Sequence, residues 1–290
     1  MQKVFGSAGL HSKFYIPNST FFILFAPQMP LLTHPVRAYL RHLRHASNRH
    51  DVHSPFVFAL VENVLRKHTP RAEFADIEAL RSALRNDKRV ISVTDFGAGS
   101  RLGNGLQRSV ASIARNALKP RLQAEMLARL VVYFKPATVL ELGTSLGITT
   151  LYLARAAATS RIHTVEGCPA IAAIAKENFN AIGIRNITSH VGPFAEQLPR
   201  VLATLERLDF TFIDGHHAKA PTLDYFDQCL AKAHNDTVFI FDDIHWSEGM
   251  EEAWAAIKAH PKVTVTIDLF HFGIVFLRKE QQREHFVLRY

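Results

Sequence analysis

The sequence predicts an α/β protein, with an open, mostly parallel sheet of seven strands over residues 120–290 and a helical N-terminal extension. From Lys135-Pro136 onward, short runs rich in β-branched residues alternate with helical stretches, the pattern of strand–helix–strand crossovers. The last two runs lie too close together for a helical crossover and are expected to pair as an antiparallel hairpin. Before residue 120 the periodicity is helical, and no sheet is expected there.

The elements follow in order. Residues 1–34 show no periodicity and are expected to form a disordered tail, with Met29 as an alternative start just before the first helical pattern. Residues 35–119 make up the helical extension. Pro35 to Ala46 reads as a basic helix with Pro35 at its first position. After a polar turn, Ser54 caps a helix running to about Lys67, with Phe56, Phe58, Ala59, Val61 and Leu65 as its apolar side. Thr69-Pro70 ends it, and a third helix spans about Ala72 to Arg85. Lys88 to Gly105 holds a strand-like fragment and a glycine-rich loop, and helices are predicted over Leu106–Ala117 and Arg121–Phe134. The strands are expected at Thr138–Leu142, Arg161–Val165, Ile187–Val191, Phe210–Ile213, Val238–Phe241, Val263–Leu269 and Gly273–Leu277.

Composition narrows the class. The 290 residues are 48% hydrophobic and 21% charged, ordinary material for a globular core. Two cysteines are too few for a disulfide framework and suit a reducing cytoplasm. No apolar run approaches the ~20 residues of a membrane span. The Phe21–Ala26 run lacks a cleavage site, so a cytoplasmic protein without membrane attachment is expected. Charge is uneven: residues 1–120 hold 17 Lys+Arg against 7 Asp+Glu, and the remaining residues 17 against 19. The basic half fits an anionic or nucleic-acid partner, or simply solvated helix faces, since its charges are scattered rather than blocked.

The most informative segment is Val139-Leu-Glu141-Leu-Gly143-Thr144-Ser145-Leu-Gly147-Ile-Thr149-Thr150. An apolar strand ends in an acid, then a glycine-bearing turn, then a helix. Gly143 and Gly147 are four apart, which excludes the G-x-G-x-x-G dinucleotide signature. Glycine permits the tight turn and lets the backbone approach a ligand. Glu141 is placed to take an ammonium group. A second strand ends in Glu166, suited to ribose hydroxyls, and a third in Val191-Gly192-Pro193-Phe194, where an adenine ring would lie. The segment Asp95-Phe96-Gly97-Ala98-Gly99-Ser100 has similar texture but no second acid-ended strand behind it. It reads as a loop outside the sheet, either a plain turn or the border of a pocket, with Arg101 and Arg108 nearby.

A second constellation follows the fourth and fifth strands: Asp214-Gly215-His216-His217 and Asp242-Asp243-Ile244-His245. Both sit at the carboxyl ends of adjacent central strands, where open α/β sheets bind ligands. Three carboxylates converging there repel one another unless protonated, paired or bound to a cation. Oxygen ligands at a partly open site suit Mg²⁺ or another divalent metal, which would acidify a substrate hydroxyl while a neutral histidine takes its proton. The alternative is that Asp214 only orders its loop and Asp242 caps the next helix.

On these motifs, residues 120–290 resemble class I S-adenosylmethionine-dependent methyltransferases with a Rossmann-like seven-stranded sheet. They are most similar to the O-methyltransferase branch that contains catechol-type, caffeoyl-coenzyme A-type and macrolide-sugar enzymes. The resemblance implies S-adenosyl-L-methionine as cofactor, held by Glu141, Gly143, Thr144, Ser145, Gly147, Glu166, Gly192, Phe194 and Asp214. It implies Asp214, Asp242 and Asp243 as metal ligands and His217, three positions after Asp214, as general base beside Asp214. The expected acceptor is a small hydroxylated or sugar-like molecule. A nucleic-acid methyltransferase is the rival reading, weakened by Asp214-Gly215 standing where an Asn/Asp-Pro-Pro-Tyr/Phe motif would be needed; a non-catalytic cofactor-binding protein is another. The His53–Phe58 segment and the Asp95–Ser100 loop match nothing in the named enzymes and resemble an uncharacterised bacterial group of S-adenosylmethionine-dependent methyltransferases that leaves the acceptor open. Oligomeric state is not readable from the sequence.

Overall fold

A computed structural model describes residues 33–48, 51–67, 72–94 and 107–289. The expected tail, Thr69-Pro70, the Asp95–Ser100 loop and Arg101 lie outside the described residues. In chain order the helices are α1 (His34–His45), α2 (Pro55–Leu60), α3 (Ala75–Leu84), α4 (Val110–Ala117), α5 (Arg121–Phe134), α6 (Ile148–Ala156), α7 (Pro169–Ile182), α8 (Phe194–Thr204), α9 (Lys219–Leu230) and α10 (Glu248–Ala259). The strands are β1 (Val90–Ser92), β2 (Gln107–Ser109), β3 (Thr138–Leu142), β4 (Arg161–Glu166), β5 (Ile187–Val191), β6 (Leu208–Ile213), β7 (Ala233–Asp242), β8 (Val265–Asp268), β9 (Phe272–Phe276) and β10 (Glu284–Val287).

The main sheet has eight strands in the order β10-β8-β9-β7-β6-β3-β4-β5. The five strands from β5 to β7 run parallel, and β9 lies antiparallel to both β7 and β8. The expected C-terminal hairpin is therefore present, with its second strand turned inward against the sheet. The eighth strand, β10, pairs parallel with β8 and escaped the sequence reading. Its four residues, Glu-His-Phe-Val, bury mainly Phe286, too little apolar pattern to stand out from the polar stretch around it. Central β3 and β6 are buried along their whole length, as parallel strands covered on both faces must be.

One face of the sheet packs Val139, Phe210, Phe212, Ile240 and Ile274 against Met126 and Leu130 of α5 and Leu153 of α6. The other packs Leu140, Leu142, Phe239 and Phe241 against Leu198 of α8, Tyr225 and Phe226 of α9, and Trp254 of α10. The extension does not stand apart from this core. Val57 and Leu60 of α2, with Val61, Val64 and Leu65 of the π-helical turn that continues it, enter the same cluster as α5. Val57, Leu60, Val61 and Val64 are spaced i, i+3, i+4, i+7, which is the buried stripe of a helix. That stripe corrects the expected one, because Phe58 points outward. Ser54 caps α2 as expected, its Oγ accepting the Val57 N–H at 3.4 Å.

Two further differences concern the extension. It has a small sheet of its own, β1 with β2 antiparallel, and the helix expected from Leu106 begins only at Val110, capped by Ser109. Helix α1 is held to the end of the main sheet by ion pairs. His42 Nδ1 lies 3.2 Å from Asp268 Oδ1, His245 bridges Glu251 and Asp268 at 2.8 Å each, and Arg41 pairs with Glu251. Ser47 also bridges to Leu288, donating to Val287 O at 2.8 Å.

Candidate active site

The turn after β3 is fixed by close approach. Gly143 adopts φ +106°, and a Cβ there would lie 1.9 Å from the Asp214 carbonyl oxygen, so no other residue fits. Asp214 N–H donates to Leu142 O at 2.8 Å, binding the two loops together. Ser145 (φ +48°) and Gly147 (φ +81°) continue the unusual backbone into the start of α6.

Glu141, last but one in β3, is fully buried. Its Oε2 accepts from Thr164 Oγ1 at 2.7 Å and from Thr150 Oγ1, while Oε1 has no partner among the described residues. Burial pushes its carboxyl up to about 8, against the pull of the two threonine hydroxyls. Thr144 Oγ1 lies 2.5 Å from Thr164 Oγ1 and extends this network. Glu166 closes β4, accepting the Ser145 N–H at 2.8 Å and the Cys168 N–H at 3.0 Å. Its carboxylate thus stands between the first and second loops. Gly192 (φ +136°) and Pro193 turn the chain into α8, whose first residue, Phe194, packs on Gly215 and edge-on to Tyr225 at 5.8 Å between centroids. The three loops expected at a cofactor and the Asp214 loop therefore lie side by side at the carboxyl ends of the parallel strands β5, β4, β3 and β6.

A charged cluster lies at the ends of β6 and β7. His217 Nε2 stands 3.8 Å from Asp214 Oδ1, and His216 turns away (φ +58°) to place Nδ1 3.1 Å from the Tyr225 hydroxyl. Asp214, His217 and Asp242 bring one ligand atom each within 4.8 Å of one another. Asp243 (φ +52°) donates its backbone N–H to His271 O at 2.8 Å. The cap of α10 is Ser247, whose Oγ accepts the Met250 N–H at 3.2 Å, so Asp242 does not cap that helix.

The residue the sequence reading missed is Lys119. Its Nζ is 3.2 Å from Asp214 Oδ1 and hydrogen-bonds Asp242 Oδ2. Burial opposes the ammonium charge, but Asp214, Asp242 and Asp243 outweigh it and hold its pKa above the ordinary lysine value. Burial also raises Asp214 and Asp243, and pushes Asp242 to about 7 with help from Asp214. Three acids thus surround one ammonium. Lys119 carried no local signal, standing before Pro120 at the foot of α5. The only hint was the surplus of carboxylates itself, which calls for a cation of either kind. A divalent cation fits poorly beside this donor set, because the ammonium already bridges both acids.

Residues 140–244 match the family model described as a methyltransferase domain. Over 111 residues the chain is 35% identical to an O-methyltransferase of Aspergillus flavus, covering 36% of this chain and 44% of that protein. Over 125 residues it is 29% identical to a catechol O-methyltransferase of Niastella koreensis, covering 42% of this chain and 56% of that protein. The aligned stretch thus spans about half the length of these relatives. Among solved structures, an O-methyltransferase of Bacillus cereus in complex with S-adenosylhomocysteine superposes with TM-score 0.51 at 19% identity, over 76% of this chain and 95% of that one. An S-adenosylhomocysteine-bound methyltransferase of Podospora anserina gives TM-score 0.53 at 14% identity, over 88% and 100%. The main sheet and its helices therefore have the expected fold, with one added edge strand. Among the described residues, no helix is long and apolar enough to cross a membrane.

Proposed function

We propose that this chain transfers a methyl group from S-adenosylmethionine to a hydroxyl of a small acceptor, with His217 as general base. The observation that carries this is the contact between Gly143 and the Asp214 carbonyl, which gives the cofactor loop and the acid–base loop a common wall. The unpartnered, buried Oε1 of Glu141 is a suitable seat for the cofactor ammonium, and Glu166 between two loops a suitable partner for ribose hydroxyls. S-Adenosylmethionine supplies an electrophilic methyl group. The chain's residues do the rest: His217 accepts the hydroxyl proton, Asp214 orients the imidazole, and Phe194 with Tyr225 walls the adenine side. Helices of the extension pack on α5 and α6, and Arg81 of α3 anchors the backbone that brings Lys119 to the site.

The test is incubation with methyl-labelled S-adenosylmethionine and a panel of hydroxylated small molecules, read by mass spectrometry. Label should pass to an acceptor hydroxyl, and His217→Ala should lose about 10²–10⁴-fold in turnover while still binding S-adenosylhomocysteine. Label on a nucleic acid alone, or full turnover in His217→Ala, would refute the reading.

A further inference from the structure

We propose that Lys119 takes the place a divalent cation would hold between Asp214 and Asp242, so that methyl transfer runs here without a metal. The catalytic half of this statement rests on the function proposed above; the placement of the cation does not.

The geometry is built rather than incidental. The Lys119 side chain is 13% exposed, reaches Asp214 Oδ1 at 3.2 Å and hydrogen-bonds Asp242 Oδ2, which is itself 1% exposed. Its backbone is anchored too: Arg81 of α3, buried and paired with Glu78 at 2.8 Å, donates to the Lys119 carbonyl. Pro120 then starts α5 and fixes the direction in which the chain arrives. Asp242 Oδ1 has no hydrogen-bond partner among the described residues. A divalent ion entering the same space would either expel the ammonium or sit against it, and repulsion between the two cations opposes the latter.

An ammonium has three N–H donors, and the two acids account for two. Among the described residues the third has no partner, and it would meet the acceptor oxygen. As the acceptor O–H proton passes to His217, the new O–CH₃ bond forms while the S–CH₃ bond breaks and its electron pair stays on sulfur. Lys119 keeps its proton throughout and stabilises the charge developing on the acceptor oxygen.

Mn²⁺ titration of the full-length protein, followed by electron paramagnetic resonance, tests this without any acceptor. Wild-type protein should leave the free-Mn²⁺ signal unchanged, whereas Lys119→Gln should remove about one Mn²⁺ per chain and gain a Mg²⁺-dependent rise in melting temperature. S-Adenosylhomocysteine titration of the same samples shows that Lys119→Gln is folded, and its failure on wild type would sink the cofactor reading separately. The proposal is overturned if wild-type protein binds Mn²⁺ and Asp242→Asn abolishes that binding. It is equally overturned if a Lys119→Gln protein that binds S-adenosylhomocysteine gains no Mn²⁺.

Discussion

The two ends of the site, after β3–β4 and after β6–β7, solve the same problem, a buried carboxylate, in opposite ways. At the β3–β4 end, Glu141 is held by hydroxyls from its own neighbourhood, Thr150 and Thr164, and Glu166 by backbone N–H groups of adjoining turns. One oxygen of Glu141 is left over, without a partner among the described residues. At the β6–β7 end, Asp214 and Asp242 are balanced by a full positive charge from outside the motif, Lys119, 95 and 123 residues earlier in the chain. The first arrangement relies on neutral donors and the second on a cation, and each leaves one buried oxygen, Glu141 Oε1 and Asp242 Oδ1, without a partner among the described residues. Local hydrogen bonding can be read from a contiguous motif, and long-range charge compensation cannot.

Gly143 is where the two ends touch, so breaking it should have the largest effect. Gly143→Ala combines a positive φ with a clash on the Asp214 carbonyl and should lose about 3 kcal/mol or more in denaturant unfolding. Gly183, with φ +77° and nothing within 4 Å of a built Cβ, is the control and should lose about 1 kcal/mol. Equal losses would mean the Gly143–Asp214 contact is not a constraint.

Removing the Glu166 carboxylate should weaken S-adenosylhomocysteine binding by about 1.5–3 kcal/mol, through loss of a charge-assisted contact. Glu141 gives a subtler signature. With its carboxyl at about 8 in the free protein it is mostly protonated at neutral pH, and pairing with the ligand ammonium would ionise it. Binding should therefore release a proton at pH 7, and affinity should rise with pH, by at most about tenfold per unit, until it levels off above about pH 8. Calorimetry in buffers of different ionisation enthalpy measures this; no proton release would remove Glu141 from the ammonium site.

The smallest effect concerns α1, outside both ends. The Asp268 and Glu251 carboxyls are held low: burial works against this, but hydrogen bonds from His245 prevail, joined by His42 at Asp268 and Arg41 at Glu251. His245 is raised by the same acids despite burial. The acids stabilise docking above their unfolded pKa near 4, and that contribution is lost as pH falls. His245 contributes below its unfolded value near 6.5, and that part fades as pH rises through the raised folded value. Protection of α1 amides, corrected for intrinsic exchange rates, should thus be greatest at about pH 5–6. His245→Gln should flatten the alkaline side.

Much of the sheet was legible because buried parallel strands are near-continuous apolar runs separated by helices, and all seven expected strands are present. The turn at Gly143 was legible because the strand before it, its glycines and the helix after it are contiguous in sequence. What escaped depended on partners distant in sequence. β10 is a strand because β8 offers it an edge, the buried stripe of α2 is set by the underside of the sheet, and Lys119 matters because two strands end beside it.

The separation of the two ends is tested most directly by calorimetric titration of S-adenosylhomocysteine, with chelator in every buffer, into wild-type, Glu166→Ala, Lys119→Gln and His217→Ala proteins. The account predicts binding to wild type despite the chelator, near-wild-type affinity in the Lys119 and His217 variants, and a loss of about tenfold or more in Glu166→Ala. Losses in the Lys119 or His217 variant as large as that in Glu166→Ala, or no binding to wild type, would contradict it.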